Sequence, residues 1–135
     1  MYSALLQDWI TIRVSSGSTS ITQSEADWAS FQQYRDIVFW LDVRSLALAG
    51  GTDVLVSYET SPAKDESLFV PMVAAVSLSN IVGVTPTITR VLLSQNPAVP
   101  LSRWVRWRLS VAGTPTSDWG AMIRIHCSAN AVGVM

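Results

Sequence analysis

Apolar and polar side chains alternate along much of the chain with a period of two residues. Between positions 36 and 44 the odd-numbered side chains are apolar, while the even-numbered ones include Asp42 and Arg44. Successive side chains of a β-strand point to opposite faces, so this pattern predicts a strand with one buried face. The same period recurs at 10–14, 53–59, 104–111 and 121–126.

Turn signals separate these segments. A Gly-Gly pair at 50–51 lies between the first two long alternating segments, which predicts a hairpin in which glycine supplies positive φ. Pro71 interrupts the apolar run at 67–76, and proline cannot donate a backbone hydrogen bond, so this run is restricted to an edge strand or a bulge. A further strand is predicted at 87–94.

Helical periodicity is nearly absent. The one helix candidate is SEADWASFQQY at 24–34, where Ser24 could cap one or two turns. About seven to eight short strands separated by turns predict an all-β fold, an antiparallel β-sandwich of jelly-roll type. We expect one domain over 1–135, with an N-terminal arm or loop over residues 1–33.

The composition narrows the class of protein. The 135 residues are 49% hydrophobic but only 14% charged, and the net charge is −1, so no overall basic field attracts nucleic acid. Lys64 is the one lysine, so eight of the nine basic residues are arginines. Arginine is favoured in interfacial ion pairs and lysine is depleted there. Together with the apolar ends MYSALL and ANAVGVM, this predicts a homo-oligomer whose surface is buried in an assembly.

Several properties are not expected. Cys127 is the one cysteine, so no intrachain disulfide can form, and we interpret it as a small buried hydrophobe. The N-terminal stretch lacks a positive region and carries Asp8, so no signal peptide is predicted. No apolar run reaches about eighteen residues, so no membrane span is predicted.

Residues that could carry catalysis are few. His126 is the one histidine, and alternation places it on the outer face of the last strand, without the orienting partner and pocket that a general base needs. Asp36 and Asp42 are about 20 Å apart in an extended chain, too far to share a metal ion. No phosphate-binding glycine motif occurs. The sequence therefore predicts a non-enzymatic protein with no metal and no cofactor.

The segment SRWVRWRLSVAGTPTSDWG at 102–120 combines tryptophan and arginine. Alternation predicts Trp107 in the core. The outward residues predicted for this strand and a neighbouring one are Trp104, Arg106, Arg108 and Arg124. Aromatic and cationic side chains on one face can bind single-stranded nucleic acid. This interpretation is the less favoured one, because the net charge is negative and Asp42 could pair with these arginines.

Outward tryptophans also suit carbohydrate binding, with Trp40 or Trp104 as the platform and Asp42 or Arg106 beside it. The same tryptophans would serve equally well as anchors of a protein interface, so both alternatives stay open. The candidate interface or binding residues are Trp40, Asp42, Trp104, Arg106, Arg108, Arg124 and His126.

One arrangement of segments resembles a known group of proteins. A strand ending in LDV, a GGT turn, a strand ending in YETSP, and then PLSRWVRWRLSVAGTPTSDW resemble the small β-sandwich virion proteins of tailed bacteriophages, over residues 37–126. The likeness is to those that decorate or cement the capsid. It implies a jelly-roll-like sandwich that forms a homotrimer and has the major capsid protein as its partner. It carries over no individual functional residue.

We therefore expect a virion structural protein that is made in the host cytoplasm and binds between major capsid protein subunits at the capsid surface. The alternative is a carbohydrate-binding sandwich of a phage tail, fibre or vertex. Single-strand nucleic-acid binding is the least favoured hypothesis.

Overall fold

The alternating segments form long strands joined by short strands and 3-10 turns. The computed structural model describes residues 2–84, 86–95 and 97–131. Its strands are β1 (Tyr2–Val14), β2 (Ser20–Thr22), β3 (Ala29–Ser30), β4 (Tyr34–Ala47), β5 (Asp53–Ser61), β6 (Val70–Pro71), β7 (Val76–Ser77), β8 (Thr87–Val91), β9 (Trp104–Ala112) and β10 (Trp119–Ala131). The 3-10 turns are Glu25–Asp27, Glu66–Leu68 and Leu93–Gln95. No helix in these ranges is long and apolar enough to cross a membrane.

The strands build two antiparallel sheets. The first sheet has the order β1-β10-β4-β8, and the second has the order β2-β9-β5-β6, with β3 paired to β9 and β7 paired to β5. This confirms the predicted all-β antiparallel sandwich. The described residues contain ten strands rather than seven or eight. Four of them, β2, β3, β6 and β7, are only two or three residues long, too short for an alternating pattern to be recognised in the sequence.

The core lies between the inner faces of the two sheets. The alternate apolar side chains of β4 and β10 are buried against those of β5 and β9, as predicted. Phe39 of β4 and Tyr58 of β5 stack across the sandwich with ring centroids 3.9 Å apart and planes 1° apart. Trp107 is buried as expected. Burial of this apolar surface is the main term that stabilises the fold.

The predicted hairpin at Gly50-Gly51 is wrong. β4 belongs to the first sheet and β5 to the second, so the chain crosses from one sheet to the other at this point. Gly50 has φ +88, and a Cβ there would lie 2.6 Å from Thr116 Oγ1. A Cβ on Gly51 would lie 2.7 Å from Val111 Cγ2. The glycines are therefore required by a tight crossover packed against other segments, whereas alternation cannot tell a hairpin from a crossover.

Other segments refine the expectations. The arm or loop expected over 1–33 instead contains β1, whose side chains alternate between outward and core positions. The helix candidate at 24–34 shortens to one 3-10 turn, and Ser24 makes no side-chain cap. Pro71 lies in an edge strand, as predicted. The last residues of the apolar C-terminal segment, 132–135, lie outside the described residues.

Close backbone contact between β1 and β10 depends on Gly120. A Cβ at this position would lie 1.8 Å from the carbonyl oxygen of Ile12 and 2.8 Å from its carbonyl carbon. Both atoms belong to the backbone of a paired strand, so they cannot rotate away as a flexible side chain could.

We expect Gly120→Ala to lower the free energy of unfolding by about 3 kcal/mol, because β1 must shift away from β10 to admit the methyl group. The control is Gly17→Ala, where the added Cβ would meet only Ser15 Oγ at 3.9 Å. The control should change stability by less than about 0.5 kcal/mol. Urea denaturation of both variants is the measurement, and equal stabilities would contradict this account.

Candidate functional site

The candidate residues lie on two opposite outer faces. Trp40 and Asp42 of β4, with Arg124 and His126 of β10, share the outer face of the first sheet. Trp104, Arg106 and Arg108 of β9 lie on the outer face of the second sheet. β10 pairs with β1 and β4 and not with β9, so the expected neighbourhood of Arg124 with the arginines of β9 is wrong. A single stacking platform that combines both groups cannot form.

On the first sheet, the cross-strand register brings four candidate residues together. Arg124 is opposite Asp42, and His126 is opposite Trp40. Arg124 donates to Asp42 Oδ2 from Nη2 at 2.7 Å and from Nε at 3.1 Å. This is the cross-strand pairing of arginine and aspartate that the alternation suggested, although with Arg124 rather than with the arginines of β9.

Trp9 is a further member of this face that sequence reasoning missed. The guanidinium carbons of Arg44 and Arg124 lie 4.3 Å and 4.8 Å from its ring centroid. The Trp9 ring thus contacts two cations, which its negative face attracts. Trp9 was missed because it lies next to irregular register in β1, between Gln7 and Ile10, where alternation breaks down.

Beside the ion pair, the first sheet carries a shallow apolar groove. Its volume is about 680 Å³. The lining side chains that matter here are Leu5, Trp40, Pro86, Arg124 and His126, and we call this surface the first-sheet groove. Leu5 is 47% exposed, and Ile88, which is opposite Trp40 on β8, is 41% exposed. The groove is therefore an apolar surface with a charged pair and an imidazole at its border.

The groove contains no activated nucleophile. Cys127 adjoins it, but the residue is buried and burial raises the pKa of its thiol to about 12. The thiol is thus protonated at neutral pH and unreactive. This fits the interpretation of Cys127 as a small core residue. Among the described residues, no group of three His, Cys, Asp or Glu side chains could hold a metal ion.

On the second sheet, Arg106 is buried although alternation places it outward. Its side chain projects from the outer face of the second sheet, but Arg106 is only 3% exposed. Trp28 and Phe69, which follow the 3-10 turns Glu25–Asp27 and Glu66–Leu68, cover it. The guanidinium carbon lies 4.1 Å from the Phe69 ring centroid and 5.2 Å from that of Trp28. Strand alternation gives the face of a residue and does not reveal the loops that cover that face.

Glu59 is the charge partner of Arg106. The two residues are directly opposite in the β5–β9 register, and Arg106 Nε donates to Glu59 Oε1 at 2.9 Å. Both side chains are buried. Buried charges require such pairing, because the cost of removing each ion from water is otherwise uncompensated. The polar position of Glu59 in its strand was visible in the sequence, but its partner was not.

Trp104 and Arg108 flank this buried pair. Lys64 Nζ lies 5.0 Å from the Trp104 ring centroid, and the Arg103 guanidinium carbon lies 5.4 Å from it. Arg108 donates to Ser20 Oγ at 3.0 Å and remains 44% exposed. Cations of the chain itself thus already occupy the neighbourhood of the Trp104 ring.

Comparisons with known proteins identify the fold. No family model matches the chain, and no curated protein matches it. Among solved structures, the chain is similar to one from "Structure of infectious bursal disease virus Gx strain", with a TM-score of 0.51 and 11% identity over 99% of this chain. It is also similar to one from the crystal structure of the infectious bursal disease virus VP2 subviral particle, with a TM-score of 0.53 and 13% identity over 98%.

Both structures come from infectious bursal disease virus, and this chain spans 32% to 33% of the length of the chains it matches. At this level of identity the likeness establishes the fold alone. The chain therefore shares a β-sandwich fold with these two structures.

We expect Glu59→Gln to lower the free energy of unfolding by about 3 kcal/mol, because Arg106 would keep its charge in a buried site without its buried counterion. The control is Asp42→Asn, whose partner Arg124 is 34% exposed and whose loss should cost less than about 1 kcal/mol. Chemical denaturation at neutral pH compares them. A smaller loss for Glu59→Gln than for Asp42→Asn would show that the buried pair is not a structural requirement.

Proposed function

We propose that the protein is a non-enzymatic virion structural protein that decorates or cements a phage capsid. It binds between subunits of the major capsid protein. The observation that carries the proposal is the first-sheet groove, an exposed apolar surface on a sandwich of the viral capsid type. The resemblance of residues 37–126 to phage decoration proteins supports the same function.

Other apolar side chains outside the groove are also exposed. Val84 is 70% exposed and Val82 is 38% exposed in the segment that leads towards β8. Contiguous apolar surface is a liability for a free monomer and typically marks an interaction site. Because only 14% of the residues are charged, few charged side chains are available to solubilise such a surface.

The groove also has the composition of an interface core. Trp40 provides a large aromatic anchor, and the Asp42–Arg124 pair provides directional polar contacts at its border. Interface hot spots are enriched in tryptophan and arginine and are surrounded by residues that exclude water. We therefore assign the groove to the contact with the capsid. The homotrimer, capsid surface location and host-cytoplasm synthesis remain parts of this proposal.

Carbohydrate binding by a tail, fibre or vertex protein is the second candidate. Trp40 favours it, since this ring lines an open groove beside Asp42. Single-strand nucleic-acid binding has less support, because Arg106 is buried and paired with Glu59. Of the two candidate arginines on β9, only Arg108 is substantially exposed.

The first test is the copy number of this chain in purified particles, measured by quantitative mass spectrometry against the main shell protein. We expect a number comparable to that of the shell protein. A handful of copies would favour a tail, fibre or vertex protein, and absence from particles would contradict the proposal. If the chain is itself the main shell component, it builds the shell rather than decorating it.

A second test uses capsids stripped of the protein. Trp40→Ala should weaken binding about thirtyfold, the effect of losing a hot-spot anchor of about 2 kcal/mol. Trp104→Ala, on the opposite face, is the matched control and should bind like the wild type. Equal binding by both variants would remove the first-sheet groove from the interface. A glycan array probed with the same pair separates the carbohydrate alternative.

A further inference from the structure

A polar cavity lies on the outer face of the second sheet, beside the buried Arg106. Its volume is about 560 Å³. The side chains that shape it are Ser20, Thr22, Glu66, Phe69, Arg106 and Arg108, and we call it the Arg106 cavity. It faces away from the first-sheet groove, so the proposed capsid contact does not account for it.

The guanidinium of Arg106 is only partly satisfied. Its Nε donates to Glu59, but its buried Nη1 has no hydrogen-bond partner among the described residues. Glu66 Oε1 lies 3.9 Å from Nη1, beyond hydrogen-bond distance. A buried donor without an acceptor is unfavourable, and a charged donor more so. The structure thus holds a fixed, desolvated donor at the wall of a polar cavity.

The charges around the cavity define the ligand. Arg106 and Arg108 carry two positive charges, and the buried Glu59 supplies one fixed negative charge. Its Oε1 lies 2.9 Å from Arg106 Nε, and its Oε2 lies 3.9 Å from Arg108 Nη1. Glu66 supplies a second one, but its side chain is 75% exposed. When Glu66 moves out, one positive charge remains uncompensated. A bound monoanion brings the net charge of these groups to zero, whereas a phosphate dianion would make it negative.

The donors at the cavity wall also fit a carboxylate as that monoanion. Guanidinium groups match the two oxygens of a carboxylate with parallel N–H donors. Arg108 Nη2 already donates to Ser20 Oγ at 3.0 Å, which holds Arg108 at the wall and leaves the serine hydroxyl hydrogen free to donate. Glu66 also lines an adjoining cavity of about 280 Å³ together with Lys64, so a displaced Glu66 has a cation to move towards.

We propose that the Arg106 cavity binds a carboxylate supplied by another molecule. This carboxylate replaces Glu66 and accepts hydrogen bonds from Arg106 Nη1, Arg108 and Ser20. Glu66 acts as an internal competitor that occupies the site weakly when no ligand is bound. The proposal does not depend on the virion function, since it concerns the opposite face of the sandwich.

The test is an acetate titration followed by the side-chain NMR signal of Arg106 Nε–H, at constant ionic strength set with chloride. We expect a saturable shift, and Glu66→Gln should tighten acetate binding about tenfold because the competitor is removed. Glu25→Gln removes an equal exposed charge that lines the adjoining cavity but not this one. It should leave the affinity within about twofold.

A second substitution tests the other wall. Arg108→Gln in the Glu66→Gln background should weaken acetate binding about tenfold. Because Arg108 is 44% exposed, its loss should leave the fold intact, which circular dichroism and a thermal melt verify. Unchanged affinity would overturn the role of Arg108 and with it the proposed site.

Two ligand comparisons complete the experiment. Phosphate should bind more weakly than acetate, and tighter phosphate binding would overturn the assignment to a carboxylate. A capped tripeptide with one glutamate tests the source of the group. Tighter binding of the tripeptide identifies a protein side chain, and tighter binding of acetate identifies a small acid. No saturable shift in Glu66→Gln, or equal tightening by Glu25→Gln, would overturn the proposal, whatever the particle inventory shows.

Discussion

The crossover between β4 and β5 is the constraint on which the rest of the structure depends. The chain leaves one sheet and enters the other within the few residues that separate Ala47 from Asp53. Gly50 and Gly51 make that passage possible, because side chains there would collide with Thr116 and Val111. The crossover sets Phe39 opposite Tyr58 in the core, and so places the outward residues of the two strands on opposite sides of the molecule.

The outer faces of the two sheets differ in how far other segments of the chain cover them. On the second sheet, Trp28 and Phe69 cover Arg106, so the charged centre of that face becomes part of the interior. On the first sheet no described segment covers Trp40 and Ile88 in this way, and apolar surface stays open to solvent. Segments of the same chain therefore cover the outer face of the second sheet, whereas the exposed outer face of the first sheet is suited to being covered by a partner.

Strand alternation predicted the fold class and the inward residues of the long strands, and the missing N–H of proline predicted the edge position of Pro71. It failed where pairing is decided by distant parts of the chain. One partner of β4 is β10, more than seventy residues later in the sequence, and nothing local in either strand encodes that choice. For the same reason the sequence predicted that Asp42 could pair with one of several outward arginines, but it did not identify Arg124 as the one. The burial of Arg106 depends on loops whose packing has no periodic signature, so Glu59 and Trp28 could not be identified beforehand.

The position of β10 has a consequence for synthesis. This strand is the central link of the first sheet: Tyr2 is opposite Ala129 on one side, and Ile37 is opposite the same residue on the other. During translation, β1 and β4 leave the ribosome long before the strand that joins them. β4 can pair with β8 on one edge, but its other edge and the edge of β1 stay unpaired until β10 emerges. Such non-local pairing folds slowly and leaves aggregation-prone strand edges exposed until the first sheet is complete.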